Sequence, residues 1–175
     1  MTKEWVSIGL TNPKNMTNVG SVMRAAGCFQ VDQVLYSGHR YDRASKLSTD
    51  TQKVSRQIPL INIETLGVDN LIDAVDTQTK IVCVDLIQGA TPLPAFKHPE
   101  KALYIFGPED GTIEQKVVDR ADYVVFMPTV GCLNLAASVN VLLYDRLAKS
   151  TRADAGDELI RSSKDVNNNV KVRLR

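Results

Sequence analysis

The chain has 175 residues, 43% of them hydrophobic, with 21 Lys/Arg against 20 Asp/Glu. That is one domain with enough apolar residues for a substantial core, and no apolar run approaches the roughly 20 residues that cross a bilayer. The N-terminus MTKEWVSIGL lacks the apolar stretch of a signal peptide, and Cys28, Cys83 and Cys132 lack C-x-x-C spacing, so a disulfide framework and a zinc site are excluded and a reducing cytoplasm is expected.

Taken in chain order, short apolar runs alternate with helical patterns. Val6–Leu10 predicts the first strand. A helix is predicted over Val19–Gly27, with Asn18 as its N-cap and Gly27 near its end. The second strand is Gln33–Ser37. The polar, basic segment Ser37–Gln57 then carries Arg40, Arg43, Lys46, Lys53 and Arg56 against Asp42 and Asp50. It is too long for an idle loop, which predicts a short helix within it or a ligand on it. A strand over Ile58–Ile61 and a helix over Glu64–Val75 follow, then strands at Ile81–Asp85 and Leu103–Phe106. The helix Ile113–Arg120, the strand Tyr123–Met127 and the helix Leu135–Lys149 complete the pattern. Residues 1–150 therefore read as one α/β domain with a largely parallel sheet flanked by helices, and residues 151–175 as a polar extension. Charge is unevenly spread: residues 1–57 are net +4, 58–145 net −7 and 146–175 net +4. The two basic ends can supply one surface for a polyanion, or serve solubility alone.

Ligands of parallel sheets bind beyond the carboxyl ends of the strands, and three loops there carry unusual residues. TNPKNMTNVGSVMRAA, residues 11–26, places asparagines before a helix start and Arg24 inside the helix. Free N–H groups there suit an anion; the alternative is a capped loop with a solvent-facing arginine. FGPEDGT, residues 106–112, has Glu109 between Gly107 and Gly111, for close backbone approach to a ligand or for a strand-to-helix turn capped by Thr112. MPTVGCLNLAASVN, residues 127–140, turns at Gly131 and starts a helix near Asn134 with small residues Ala136, Ala137 and Ser138. Cys132 is there either a nucleophile or, more simply, a packed and inert cysteine. There is no P-loop, no G-x-G-x-x-G after the first strand, no G-x-S-x-G elbow and no H-E-x-x-H.

The three loops, in this order, resemble the three motifs of the TrmH/SpoU branch of the SPOUT methyltransferases. NVGSVMRAA is similar to N-x-G-x-x-x-R-x-A, YIFGPEDGT to a strand followed by G-x-E-x-x-G, and MPTVGCLNLAASVNVLLYD to I-P-x-x-G-x-x-S-L-N-x-S-x-A running into a helix. The resemblance implies a parallel sheet whose C-terminal part is tied in a deep trefoil knot, a form otherwise nearly absent from proteins. It implies a homodimer, S-adenosylmethionine as cofactor, no metal, and RNA (tRNA or rRNA) as substrate, methylated on a ribose 2′-hydroxyl. Carried over by position, Phe106, Gly107, Glu109, Gly111, Met127, Cys132, Leu133, Asn134 and Ala136 belong to the cofactor site. Arg24, Asn18, Glu109 and Asn134 belong to the catalytic side. Arg40, Arg43, Lys46, Lys53 and Arg56 are expected to meet RNA phosphates. Cys132 and Ala136 stand where the family has serines, and the second change removes a hydroxyl. A base methyltransferase and an RNA-binding protein that has lost catalysis are the alternatives.

Overall fold

The computed structural model describes residues 4–47, 58–150 and 156–173. Seven strands form one sheet: β1 (Trp5–Leu10), β2 (Gln33–Tyr36), β3 (Leu60–Asn62), β4 (Lys80–Val84), β5 (Thr91–Pro92), β6 (Lys101–Phe106) and β7 (Tyr123–Phe126). Their order is β3-β2-β1-β6-β4-β7-β5, and every neighbouring pair is parallel. The helices are α1 (Met16–Cys28), α2 (Arg40–Leu47), α3 (Gln115–Val118), α4 (Leu135–Lys149) and α5 (Asp157–Ser163). The expected α/β class and parallel sheet are present, and α2 is the short helix expected in the basic segment. Lys53 and Arg56 lie outside the described residues.

Strand periodicity divides the core. Ala102, Tyr104 and Phe106 of β6 join Val6, Ile8 and Leu10 of β1 under α1 and α4. Leu103 and Ile105 face the other way, with Leu35, Ile81, Cys83 and Ile113. Successive side chains of a strand point to opposite faces, so a central strand buried on both reads as a continuous apolar run. Gly9 packs tightly on the second face, where a Cβ would lie 3.3 Å from the side chains of both Leu103 and Leu71.

Three expectations change, the first being α3, which spans Gln115–Val118 rather than Ile113–Arg120. The helix over Glu64–Val75 is instead two short 3-10 turns, Ile63–Leu66 and Leu71–Ala74. Gly67, at φ 75° in the left-handed region, ends the first, and Asn70 caps the second by accepting from Ile72 N. Helix α1 starts earlier than predicted: its N-cap is Asn15, whose side chain accepts from the N–H groups of Thr17 and Asn18. At the other end the helix closes at Cys28 with Phe29 as its C-cap, so Gly27 lies near its end as expected.

Helix α4 is held far from its N-terminus by a buried polar cluster. His98 Nε2 lies 2.9 Å from Asp145, and His98 Nδ1 lies 2.8 Å from the Tyr104 hydroxyl. Arg146 donates to that hydroxyl at 2.9 Å and to the Pro99 carbonyl at 2.6 Å, while Lys149 donates to the Leu93 carbonyl at 2.6 Å. Burial pushes the Tyr104 hydroxyl up to about 12 and the His98 imidazole down. Both groups therefore sit neutral, with Asp145 accepting from Nε2–H and Nδ1 accepting from the phenol. The clamp fixes the helix whose first turn walls the cleft at the carboxyl edge of the sheet.

Candidate active site

Register brings the three loops together. Leu10 of β1 pairs with Phe106 of β6, and Val84 of β4 pairs with both Phe106 and Val125 of β7. The loops leaving these strands therefore rise from one edge at the same level, as the carboxyl ends of a parallel sheet require.

Glu109 joins the first two loops. Its Oε2 accepts from Lys14 N at 2.8 Å, and its Oε1 accepts from Asn15 N at 3.2 Å and from Asn18 Nδ2 at 3.0 Å. A carboxylate thus sits at the positive end of α1 and satisfies N–H groups preceding the helix. Asn18, expected as the cap, lies one turn inside α1 and points its amide at Glu109. The next residue, Asp110, accepts from Arg40 and Lys14, which hold its carboxyl down at about 2.

The end of β4 and the third loop enclose an open cleft, lined by Val84, Asp85, Leu86, Met127, Thr129, Cys132, Leu133 and Ser138. Met127, Cys132 and Leu133 were expected there. Cys132 is exposed in the cleft rather than packed. Asn134 caps α4, its Oδ1 accepting from Ala137 N at 2.8 Å. Ala136 is buried in the core under α4, so the hydroxyls at the cleft come from Ser138 and Thr129. Phe106 is likewise a core residue. Gly107 is packed so closely that a Cβ would lie 3.1 Å from Asp85 Oδ2 and 3.2 Å from Ile113 N.

Asp85 was missed. It ends the apolar run of β4, where a carboxylate beyond a strand's carboxyl end is the available signal. Its Oδ2 accepts from the Thr112 hydroxyl at 2.7 Å and from Ile113 N at 3.1 Å, and its Oδ1 accepts from Leu86 N at 2.8 Å. Thr112 therefore bonds Asp85 instead of capping α3, whose N-cap is Glu114. Both loops are also shorter than the motifs they resemble. Gly111 follows Glu109 by two residues rather than three, and Cys132 follows Gly131 directly.

Arg24 projects from the exposed side of α1 and makes no side-chain hydrogen bond or ion pair among the described residues. It is not a lining residue of the cleft. Of the basic segment, Arg43 and Lys46 are exposed beside an open basin at the ends of β2 and β3, whereas Arg40 is engaged with Asp110 and the Asn12 carbonyl. Among the described residues no His/Cys/Asp/Glu cluster suits a metal ion, and no helix is long and apolar enough to cross a membrane.

A parallel sheet with a cleft at its carboxyl edge has the layout in which α/β domains bind ligands. The chain belongs to the SpoU rRNA Methylase family, whose model matches residues 6–144. A comparison with curated proteins returns no match. Among solved structures, the SpoU methyltransferase AviRb from Streptomyces viridochromogenes in complex with AdoMet is similar at 19% identity and a TM-score of 0.64, over 83% of this chain and 58% of that one. The A. aeolicus TrmH/SpoU tRNA modifying enzyme is similar at 17% identity and a TM-score of 0.65, over 83% and 74%. A structure described under 2-OH methylation of C/U34 on tRNA is similar at 19% identity and a TM-score of 0.65, over 82% and 95%. The chain spans 57–61% of the length of the first five similar structures.

Proposed function

We propose that this protein transfers a methyl group from S-adenosylmethionine to a ribose 2′-hydroxyl of tRNA or rRNA in the cytoplasm. The observation that carries the reading is the cleft between the end of β4 and the third motif loop, whose Asp85 the second loop meets through Thr112 and Ile113. Its apolar lining of Val84, Leu86, Met127 and Leu133 suits a flat base, and Asp85, Thr129 and Ser138 supply polar contacts for a ribose and a cationic tail. When bound, the cofactor supplies a methyl already activated on a sulfonium. The chain itself must then hold the ribose oxygen in line and stabilise charge as its proton leaves. Arg24 fills that second role. A guanidinium stays protonated, so it anchors a phosphate or the developing alkoxide rather than acting as a base. RNA is the substrate class because it alone presents a 2′-hydroxyl. The C-terminal threading of a trefoil knot, and a domain over residues 1–150 with residues 151–175 as an extension, belong to the same reading. Two measurements test it. Calorimetry of the purified protein without added metal is expected to show S-adenosylmethionine binding. Mapping of 2′-O-methyl sites in RNA from cells with and without the gene is expected to reveal a lost site. No cofactor binding at millimolar concentration would sink the proposal.

The same reading includes a homodimer, in which Arg24 of one subunit completes the cleft of the other. Leu135, Val139, Leu142 and Leu143 of α4 are buried within the subunit. Leu147 remains outside with Val141 and Tyr144, at 41%, 43% and 65% exposure. With Leu133 at 40% and Val130 fully exposed on the third loop, they give an apolar strip running from the cleft along α4. Light scattering is expected to give twice the monomer mass, and Tyr144→Glu to shift it toward the monomer. A monomer mass for the parental protein throughout the micromolar range would refute the dimer.

A further inference from the structure

We propose that Arg40 is a positioning residue that latches the loop between β6 and α3 to the entrance of α1, and that it does not grip RNA. The inference rests on the functional reading in one respect, that this loop, tied through Thr112 and Ile113 to Asp85 of the cleft wall, helps to hold the cofactor.

The geometry is specific. Arg40 Nη1 donates to both carboxylate oxygens of Asp110, at 3.0 and 2.9 Å, and Nη2 donates to Oδ1 at 3.1 Å. The same guanidinium turns Nε and Nη2 to the Asn12 carbonyl, at 2.9 and 2.5 Å. Lys14 Nζ holds Asp110 from a second side at 3.2 Å. Two consecutive carboxylates of one loop therefore act as a pair: Glu109 fastens the start of α1, and Asp110 fastens the start of α2.

The backbone is shaped to permit this. Asn12 has φ 41° and Gly38 has φ 74°. A Cβ on Gly38 would fall 2.3 Å from Asn12 Oδ1, so only glycine lets the two loops approach this closely. That approach sets Arg40, the first residue of α2, against the Asn12 carbonyl. A planar fork can serve a carbonyl and a carboxylate at once, whereas an ammonium is a single point charge. Arg43 and Lys46, further along the same helix, are exposed and make no side-chain hydrogen bond or ion pair among the described residues. Arg40 thus faces the protein, and its helical neighbours face solvent. Loop 107–113 is thereby held at three points, by the start of α1 at Glu109, by Arg40 and Lys14 at Asp110, and by Asp85 at Thr112 and Ile113. Without the latch the loop keeps the ties on either side and loses most of the one between them.

The test uses the full-length protein and three readouts: hydrogen exchange of the amides of residues 110–113, the calorimetric Kd for S-adenosylmethionine, and the salt dependence of binding to bulk cellular tRNA. Arg40→Gln and Asp110→Asn are each expected to speed exchange in the loop at least tenfold, with exchange in α4 unchanged as the control for an intact fold. Each is expected to weaken cofactor binding at least threefold, the double variant no further than either single one. Arg40→Lys is expected not to restore it. The slope of log K against log salt is expected to stay at the parental value in Arg40→Gln and to fall in Arg43→Gln/Lys46→Gln. Unchanged loop exchange overturns the latch, and faster exchange with parental cofactor affinity overturns the positioning role. A slope reduced by about 0.9 in Arg40→Gln, the signature of one lost phosphate contact, also overturns the proposal. If the parental protein binds no cofactor, the functional reading fails by itself, and the exchange result alone decides whether Arg40 latches the loop.

Discussion

Arg24→Ala is expected to lower methyl transfer about a hundredfold or more while leaving the melting temperature within a degree or two of the parental value. The first half follows from the role of a donor aimed at charge that develops in the transition state, whose loss costs about 10²–10³ in rate. The second half follows from where the residue sits. Arg24 is exposed on α1, has no hydrogen-bond or ion-pair partner among the described residues, and lies opposite the buried stripe of Val19, Val22, Met23 and Ala26. Exposed substitutions of that kind move stability by about 0.5 kcal/mol or less, and alanine is the better helix former. A structural arginine would behave in the reverse way, with stability and activity falling together. Cofactor affinity is expected to change little, because Arg24 does not line the cleft. Arg24→Lys is expected to recover little activity, since a compact ammonium does not reproduce the fork. Parental activity in a folded Arg24→Ala protein would show that the assigned active site is wrong.

What was legible in the sequence divides along physical lines. Strands buried on both faces announce themselves as apolar runs, so β1, β2, β4, β6 and β7 were found within two residues at each end. Helix α4 was found with its bounds intact, because Asn134 caps it in the ordinary way. Residues 63–74 misled because apolar spacing at Ile63, Leu66, Leu71 and Ala74 suits a helix, while Gly67 and Asn70 break it into two turns. The three motif loops were legible as a constellation. The contacts of individual side chains within them were not, since they depend on neighbours distant in the chain. Glu109 meets residues more than ninety positions away, and Arg40 meets Asp110 across seventy. Charge composition marked Arg40 as one of a basic set, and only the fold separates it from Arg43 and Lys46. Likewise the sequence does not show that Ala136 lies in the core while Ser138 reaches the cleft.

Asp85, invisible in the motifs, carries the second large effect. Its carboxylate accepts three bonds, from the Thr112 hydroxyl and Ile113 N on Oδ2 and from Leu86 N on Oδ1. Asp85→Asn keeps the shape and loses one acceptor. If the amide nitrogen takes the Oδ2 position, it faces the Ile113 N–H; if it takes the Oδ1 position, it faces the Leu86 N–H. In either orientation a donor meets a donor, so at least one backbone N–H is left without a partner. Leaving such a group unsatisfied costs about 1–3 kcal/mol, which for a chain of this size lowers the melting temperature by several degrees. A functional cost is expected beside the thermal one. Asp85 lines the cleft itself and sits 3.1 Å from where a Cβ on Gly107 would be, so the second loop cannot reposition without altering the cleft wall. S-adenosylmethionine binding by Asp85→Asn is therefore expected to weaken by about tenfold or more, on the scale of about 1.4 kcal/mol per decade. Thr112→Val removes only the hydroxyl bond, leaves both backbone bonds, and is expected to weaken binding much less. Calorimetry and melting curves on the two variants decide the matter. Equal cofactor affinity in the parental and Asp85→Asn proteins would show that this carboxylate supports the fold and takes no part in shaping the cleft.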